Sequence, residues 1–308
     1  METRFWPEGR LLPTPANLAL CASLETLKRA QADQKVVEGT AILCTPERSL
    51  IVKLNNFTGI IPREEGAIGI AEGSTREIAL LSRVGHPVSA VVTGIREDGV
   101  LLLSRRKAQE AAREHLFTTV KPGDILPATV THLEPFGAFV DLGCGLPSML
   151  GIENLSVARI PHPNQRLSVG QEIFVVVTGV DRSMGRLYLS HKELLGSWQE
   201  NVQAFAPGMT VPGIIRGLKE YGAFVELTPN LSGLAELKPD LRDGMRVSVY
   251  IKSIFPERMK IKLLVIGTLP PTAAPAPLHY FQTSGRIDRW EYAPPGCRKI
   301  GAVSVFSP

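Results

Sequence analysis

Two aromatic residues three positions apart, separated by glycine and alanine, occur twice in this chain of 308 residues. Residues 136–142 read Phe-Gly-Ala-Phe-Val-Asp-Leu, and residues 221–227, 85 positions later, read Tyr-Gly-Ala-Phe-Val-Glu-Leu. Flat rings on a rigid strand can stack on nucleobases, while nearby cationic side chains bind phosphates. The chemistry that these residues could do is therefore non-covalent binding of a single-stranded nucleic acid.

Basic residues follow each aromatic segment, in the last predicted hairpin of each copy. They are Arg182, Arg186 and Lys192 in the earlier copy and Arg258, Lys260 and Lys262 in the later one. Residues 118–193 contain six Lys or Arg against seven Asp or Glu, whereas residues 205–266 contain nine against six. The later copy is thus the better electrostatic partner for phosphate.

The strand that begins at Gly137 is expected to alternate between two faces. Alternation buries Ala138 and Val140 and leaves Phe139 and Asp141 pointing outward. Gly137 can support a bulge that turns Phe136 onto the same outer face as Phe139. The alternative is that both rings are ordinary core residues of the barrel.

The aromatic motif belongs to a repeat of domain size. The same offset of 85 relates Pro122-Gly123 to Pro207-Gly208, and a period this long indicates domains rather than solenoid turns. Between 118 and 193 the apolar-rich runs predict five short strands, which favour a small closed barrel. These runs are 125–133, 136–142, 149–152, 172–180 and 187–190.

The predicted fold class is all-β, with three tandem five-stranded barrels, short helical connectors and a proline-rich C-terminal tail. The first barrel is degenerate, because Arg48 to Lys53 stand where the other copies carry the aromatic motif. The predicted domains are an N-terminal helical segment (1–32), the degenerate barrel (33–107), two binding barrels (118–193 and 205–266), and a proline-rich linker with an aromatic tail (267–308).

Local signals predict the remaining elements. Thr14-Pro15 predicts the start of one helix that ends near Arg29 and packs on the first barrel. Ser74 and Glu77 predict a capping box that opens a short helix. The run 270–277 predicts an extended spacer, and the tail aromatics are expected to cap the third barrel. Those aromatics are Tyr280, Phe281, Trp290 and Tyr292.

Composition and motifs argue against several other classes of protein. The formal charge is +4, the four cysteines are far apart, and there is neither a signal peptide pattern nor a membrane-length apolar run. No motif for phosphate-cradling loops, serine nucleophiles or metal-dependent catalysis is present. We expect a cytoplasmic protein with reduced thiols and with no catalytic residues, metal, cofactor or small-molecule substrate.

The sequence resembles the S-one type OB-fold repeat of bacterial ribosomal protein S-one, which also occurs in polynucleotide phosphorylase and ribonuclease E. The resemblance rests on five segments of the second repeat and covers the third nearly as well, but the first only in its spacing. The segments are 122–124, 136–140, 154–156, 169–171 and 185–190.

The resemblance implies an RNA-binding face on the second and third barrels. The family's aromatic, acidic and basic contacts fall on Phe136, Phe139, Asp181 and Arg186, and in the third barrel on Tyr221, Phe224 and Lys260. The chain departs from the family where a histidine is common, since Gly151 and Glu236 stand there. The complete predicted RNA-binding set is Phe136, Phe139, Asp181, Arg182, Arg186, Tyr221, Phe224, Arg258, Lys260 and Lys262.

Three functions follow as hypotheses. The first is binding of single-stranded mRNA in translation at the small ribosomal subunit, with the first barrel as a protein-docking platform. The second is an RNA-decay accessory that recruits a nuclease, and the third is a protein–protein adaptor without RNA.

Overall fold

The computed structural model describes residues 5–271, 277–297 and 301–306, and its main elements are three tandem five-stranded barrels. The predicted all-β, OB-fold-like class is confirmed. The chain forms two compact units, one of residues 1–120, 127–129 and 140–148, the other of residues 121–126, 130–139 and 149–308. The predicted domain boundaries stay a prediction. Within the described ranges, no helix is both long and apolar enough to cross a membrane.

The first barrel lies in the first unit and is closed. Its elements are α1 (Pro15–Leu20), α2 (Leu24–Ala32), β1 (Val36–Cys44), β2 (Leu50–Leu54), β3 (Phe57–Ile61), α3 (Ile78–Leu81), β4 (Pro87–Ile95), β5 (Leu101–Ser104) and α4 (Arg105–Thr119). The strands follow the order β1-β2-β3-β5-β4, and β3 pairs with β5 in parallel. Leu50, Val52 and Leu54 of β2 are buried, so this strand has the expected alternation.

The N-terminal segment contains two helices where the sequence predicted one. The first ends at Leu20 with Cys21 as its C-cap, and Ser23 starts the second. The Ser23 Oγ accepts a hydrogen bond from the Thr26 amide at 3.1 Å, and its own amide donates to Thr26 Oγ1 at 3.0 Å. Leu27 and Ala30 of α2 then pack into the core of the first barrel. Packing on this barrel is as predicted.

The predicted capping box at Ser74 does not form. The Ser74 hydroxyl donates to the Gly69 carbonyl oxygen, and α3 begins only after Glu77. The Glu77 carboxylate instead pairs with Arg63 at 2.7 Å and with Arg48 at 3.2 Å. Ion pairs to residues distant in sequence thus replace the local cap.

The second and third barrels repeat the strand plan of the first. Their elements are β6 (Ile125–Glu134), β7 (Gly137–Asp141), β8 (Pro147–Gly151), β9 (Glu172–Asp181), β10 (Arg186–Ser190), α5 (Trp198–Val202), β11 (Thr210–Lys219), β12 (Gly222–Thr228), β13 (Leu231–Ala235), β14 (Arg246–Phe255) and β15 (Lys260–Thr268). The second forms a sheet in the order β10-β9-β6-β7-β8, and the third closes in the order β11-β12-β13-β15-β14. The third barrel belongs entirely to the second unit.

The C-terminal tail packs on the second barrel, not chiefly on the third as the sequence predicted. It forms a small hairpin of β16 (Arg289–Glu291) and β17 (Val303–Val305). Trp290 and Phe306 are buried in one cluster with Ile125, Val176 and Leu194 of the second barrel region. Of the tail aromatics, Tyr292 does reach the third barrel, where its Oη donates to the Asn230 carbonyl at 2.7 Å.

Backbone pairing explains this placement of the tail. The Ile287 amide donates to the Gly123 carbonyl at 2.9 Å, and the Ile125 amide donates to the Gly285 carbonyl at 3.1 Å. The tail therefore pairs with the chain at the start of the first strand of the second barrel. Within the predicted extended spacer 270–277, residues 272–276 lie outside the described residues.

Candidate nucleic-acid interface

The first aromatic pair lies at the start of β7. Phe136 is 54% exposed and Phe139 is half-buried. Their ring centroids are 6.2 Å apart at an interplanar angle of 86°, an edge-to-face arrangement. The two rings thus form one continuous apolar surface that solvent reaches.

The second pair has the same geometry in the third barrel. Tyr221 is 69% exposed, Phe224 is half-buried, and their centroids are 6.1 Å apart at 86°. The intervening Ala223 is fully buried, as is Ala138 in the second barrel. The motif therefore places its aromatic residues outside and its alanine inside in both copies.

The glycine of each motif is required by a close backbone approach. A Cβ on Gly137 would lie 2.4 Å from the Leu150 carbonyl oxygen, and one on Gly222 would lie 2.5 Å from that of Ala235. The bulge that the sequence predicted at this glycine is not what the third barrel shows, because the register shift near the pair lies in the partner strand β11, between Ile215 and Gly217. The glycine instead allows the next strand of the barrel, β8 or β13, to approach its backbone closely.

A row of residues connects the second pair to a lysine. Phe224 on β12 lies opposite Leu234 on β13, and Leu234 lies beside Lys262 on β15. Residues paired across neighbouring strands share a face of the sheet. Lys262 therefore projects on the same outer face as Phe224, and its Nζ lies 5.6 Å from the centroid of the Phe255 ring.

The other two basic residues predicted in the third barrel lie further along the same hairpin. Lys260 is half-buried and pairs with Phe255, on the outward side of β15. Arg258 is exposed in the turn before β15, with its Nε 3.8 Å from the Glu257 carboxylate. The structure brings Lys260 and Lys262 to one face and leaves Arg258 at its edge.

The charged residues predicted in the second barrel occupy the turn between β9 and β10. Asp181 accepts hydrogen bonds from Ser183 Oγ at 2.6 Å and from the Met184 amide at 3.0 Å, which lower the pKa of its carboxyl. Arg186 lies opposite Asp181 in the ladder and is exposed, as is Arg182. Asp181 therefore has a local role in shaping this turn, whether or not it contacts a ligand.

The sequence reasoning missed two exposed aromatic residues of the second barrel. Tyr188 on β10 is 50% exposed, and the offset of 74 that relates Arg186 to Lys260 also relates Tyr188 to Lys262. Applying that offset to every residue of the hairpin would have found it. His132 is exposed as well, and its ring centroid lies 6.4 Å from that of Phe139.

Asp141 alternates outward as predicted, but it is not open to solvent. Its carboxylate is buried and accepts hydrogen bonds from the amides of Glu8, Gly143 and Gly145 at 2.7 to 2.9 Å. Burial, together with the neighbouring Glu8 carboxylate, raises the pKa of Asp141 to about 7. The N-terminal segment covers the outward side of the strand here, so this residue is not available to a partner.

The first barrel has no aromatic residue at the matching positions. Arg48 pairs with Glu77, and Ile51 stands in the strand, opposite Leu43. Leu43 is exposed, so the matching face of the first barrel is aliphatic. It lacks the rings that base stacking requires.

Comparison with known proteins agrees with this geometry. Residues 119–192 match the family model of the S1 RNA binding domain. Small ribosomal subunit protein bS1 of Leuconostoc lactis is 30% identical over 231 residues, which cover 70% of this chain and 52% of that protein. The bS1 protein of Staphylococcus aureus strain COL is 29% identical over 190 residues, covering 56% of this chain and 48% of that protein. The chain spans about half the length of these curated relatives.

Among solved structures, the solution structure of GSP13 from Bacillus subtilis is 28% identical to this chain. It covers 29% of this chain and 62% of its own, with a TM-score of 0.23, and adds nothing to the assignment at that score. The fold and the sequence matches define a tandem OB-fold protein whose second barrel is an S1 domain. Residues 119–192 match the S1 domain, so the predicted resemblance to the S1 type of repeat is confirmed.

Proposed function

We propose that this protein binds single-stranded RNA on the outer faces of its second and third barrels. The observation that carries the proposal is the recurrence of one solvent-open aromatic pair, with centroids 6.2 Å and 6.1 Å apart and the same 86° angle. A buried aromatic pair of the core would not present its rings to solvent in both copies. Stacking of one base on such a ring contributes about 1–3 kcal/mol and tolerates many sequences.

The two barrels contribute differently to binding. The third has a surplus of positive charge and aligns Lys262 with Phe224, so it supplies more of the attraction to phosphate. The second has more exposed rings, since Tyr188 and His132 are both exposed and the His132 ring centroid lies 6.4 Å from that of Phe139. The short connection between them raises the effective concentration of the second binding event, so modest affinities combine.

The site of action in this proposal is translation at the small ribosomal subunit, in the cytoplasm, as the name of the bS1 relatives suggests. The protein would act by holding mRNA without catalysing a reaction. The aliphatic face of the first barrel, with Leu43 opposite Ile51, would dock on a protein of the subunit. The alternative function, an RNA-decay accessory that recruits a nuclease, differs only in the protein that the first barrel would bind.

The test is a fluorescence-anisotropy titration of the full chain with an unstructured RNA. Phe139→Ala combined with Phe224→Ala removes one ring from each pair and should weaken binding at least about tenfold, since each lost stack is worth 1–3 kcal/mol. Tyr188→Ala should weaken binding further. Phe281→Ala, which removes a partly exposed ring of the tail, is the control and should leave the affinity unchanged.

An unchanged affinity in the folded double variant would refute the site. Sedimentation with small ribosomal subunits in low and high salt tests the proposed place of action. Co-purification with ribonucleases instead of ribosomal proteins would favour the decay role, and the absence of RNA crosslinks in cells would favour the adaptor.

A further inference from the structure

A cleft of about 550 Å³ opens on the third barrel, and Glu226 in its lining lies two residues from Phe224 on β12. Its lining includes three arginines, Arg166, Arg216 and Arg246, and among the described lining residues the one carboxylate is that of Glu226. The predicted RNA-binding set contains none of these residues. The cleft is therefore a cationic feature distinct from the predicted RNA-binding residues.

Two of the arginines share the single carboxylate. Arg166 Nη1 and Nη2 lie 3.1 Å and 2.5 Å from the two oxygens of Glu226, and Arg216 Nη2 and Nε lie 3.2 Å and 3.1 Å from the same oxygens. The Arg166 side chain is 2% exposed and that of Arg216 is 12% exposed. One carboxylate balances one guanidinium, so a positive charge is left over where water is largely excluded.

Two further observations indicate that this positive charge lacks a counterion. The Arg166 Nε is buried and has no hydrogen-bond partner among the residues that the structure describes. Burial, with the like charge of Arg216 beside it, lowers the pKa of Arg166. Arg246 adds a third guanidinium, whose Nη1 donates to the uncharged Pro270 carbonyl at 2.8 Å.

The strand register places the cleft next to the stacking pair. Glu226 follows Phe224 by two residues on β12, so both project from the same face, about 7 Å apart. Glu226, Ile214 and Arg246 then form a row across β12, β11 and β14. The row of Phe224 and Lys262 and the row of Glu226 and Arg246 are thus neighbours along β12 on the outer surface of one barrel.

We propose that the cleft binds a phosphate group of the RNA strand whose base stacks on Tyr221 and Phe224. Arg216 and Arg246 would contact the phosphate oxygens, because a planar guanidinium matches them with two parallel N–H donors. Arg166 and Glu226 would act as positioning residues that hold Arg216. This inference rests on the proposed RNA-binding function and extends it from stacking to a defined phosphate site.

The experiment measures RNA affinity of the full chain as a function of salt concentration. For single-stranded RNA, loss of one phosphate contact reduces the magnitude of the slope of log K against log salt by about 0.7. Arg246→Gln and Arg216→Gln should each show that reduction. Arg242→Gln is the matched control, because Arg242 is an exposed arginine of the same barrel outside the cleft lining.

Arg216→Gln could destabilise the buried ion cluster, and thermal melting of the variant would show this. Arg246→Gln does not touch that cluster, so its salt slope still decides the test. Equal slopes for folded Arg246→Gln and Arg242→Gln, with Phe224→Ala still weakening binding, would overturn the phosphate site and leave the proposed function intact. Failure of the wild-type chain to bind RNA would overturn both. The second measurement is calorimetric titration of the full chain with adenosine monophosphate and with inorganic phosphate. If these small ligands bind only when Arg246 is present, while Arg246→Gln leaves RNA affinity unchanged, the cleft binds a small free phosphate and the RNA assignment is overturned.

Discussion

Phe224 and Lys262 lie two strands apart in one row of the third barrel, with Leu234 between them. Because neighbouring strands are about 4.8 Å apart, the backbones of the two residues are separated by roughly 10 Å. The ring and the ammonium group thus face one ligand from the same surface. A base stacked on Phe224 would leave a neighbouring phosphate within reach of the lysine.

Lys262→Gln should weaken RNA binding most at low salt and reduce the magnitude of the salt slope by about 0.7, because one phosphate contact is lost. Anisotropy titrations at several salt concentrations measure this. Lys28→Gln, which removes an exposed lysine of α2, provides the comparison. Identical curves for the two variants would remove Lys262 from the interface.

Gly222→Ala should destabilise the third barrel by about 1–3 kcal/mol, because its Cβ would lie 2.5 Å from the Ala235 carbonyl oxygen. RNA affinity should fall as well, since Tyr221 would be displaced. Gly217→Ala is the matched control, as a Cβ there meets no described atom within 4 Å. Urea unfolding of the two variants gives the comparison, and equal midpoints would contradict the steric role of Gly222.

Glu226→Gln should lower the free energy of unfolding by about 3–5 kcal/mol, because Arg166 and Arg216 would be left buried without their counterion. Glu236→Gln removes an exposed carboxylate of the same barrel, which pairs with Lys252 at 3.1 Å, and should cost less than about 1 kcal/mol. Chemical unfolding measures both. A small effect at Glu226 would mean that solvent or another group already compensates the two arginines.

His191 should make the second unit sensitive to mild acid. Its Nδ1 lies 2.8 Å from the Phe174 carbonyl oxygen, its Nε2 has no partner within the described part of the chain, and burial lowers its pKa to about 4. The neutral ring is therefore favoured in the folded state. Its stabilising contribution is complete above the unfolded pKa near 6.5 and is lost as the pH falls towards 4, by up to about 1.4 kcal/mol per pH unit.

His191→Gln should accordingly flatten the decline in stability between pH 6.5 and 4. Unfolding followed by tryptophan fluorescence at four pH values measures the slope. His86→Gln, at an exposed histidine, should retain the wild-type decline. A decline of the same steepness in His191→Gln would show that another group titrates.

The sequence predicted what depends on local alternation and repetition. The five runs of 118–193 match the strands to within two residues, because a half-buried strand must alternate and the turns carry glycine. The aromatic rings could be placed by the same reasoning. Tyr188 follows from the offset of 74 residues between the second and third repeats, because it occupies the position that Lys262 has in the third.

Features that depend on distant segments could not be predicted. Asp141 alternates outward as expected, yet residues near Glu8 cover it, and no local pattern shows which segment crosses a strand. Ser74 and Glu77 satisfy a capping pattern, but Arg63 and Arg48 take the carboxylate. The cationic cleft likewise unites arginines that are 50 and 30 positions apart in the sequence.

The hairpin that carries Trp290 and Phe306 has a consequence for how the molecule is made and divided. During synthesis, the last strand of the second barrel ends at Ser190, 100 residues before Trp290 and 116 before Phe306, the rings that shield Ile125 and Val176. A fragment limited to residues 119–192 would therefore expose the apolar side chains of Ile125 and Val176 to solvent. A truncation upstream of Trp290 would therefore destabilise the second barrel, although that barrel lies far from the truncated end in the sequence.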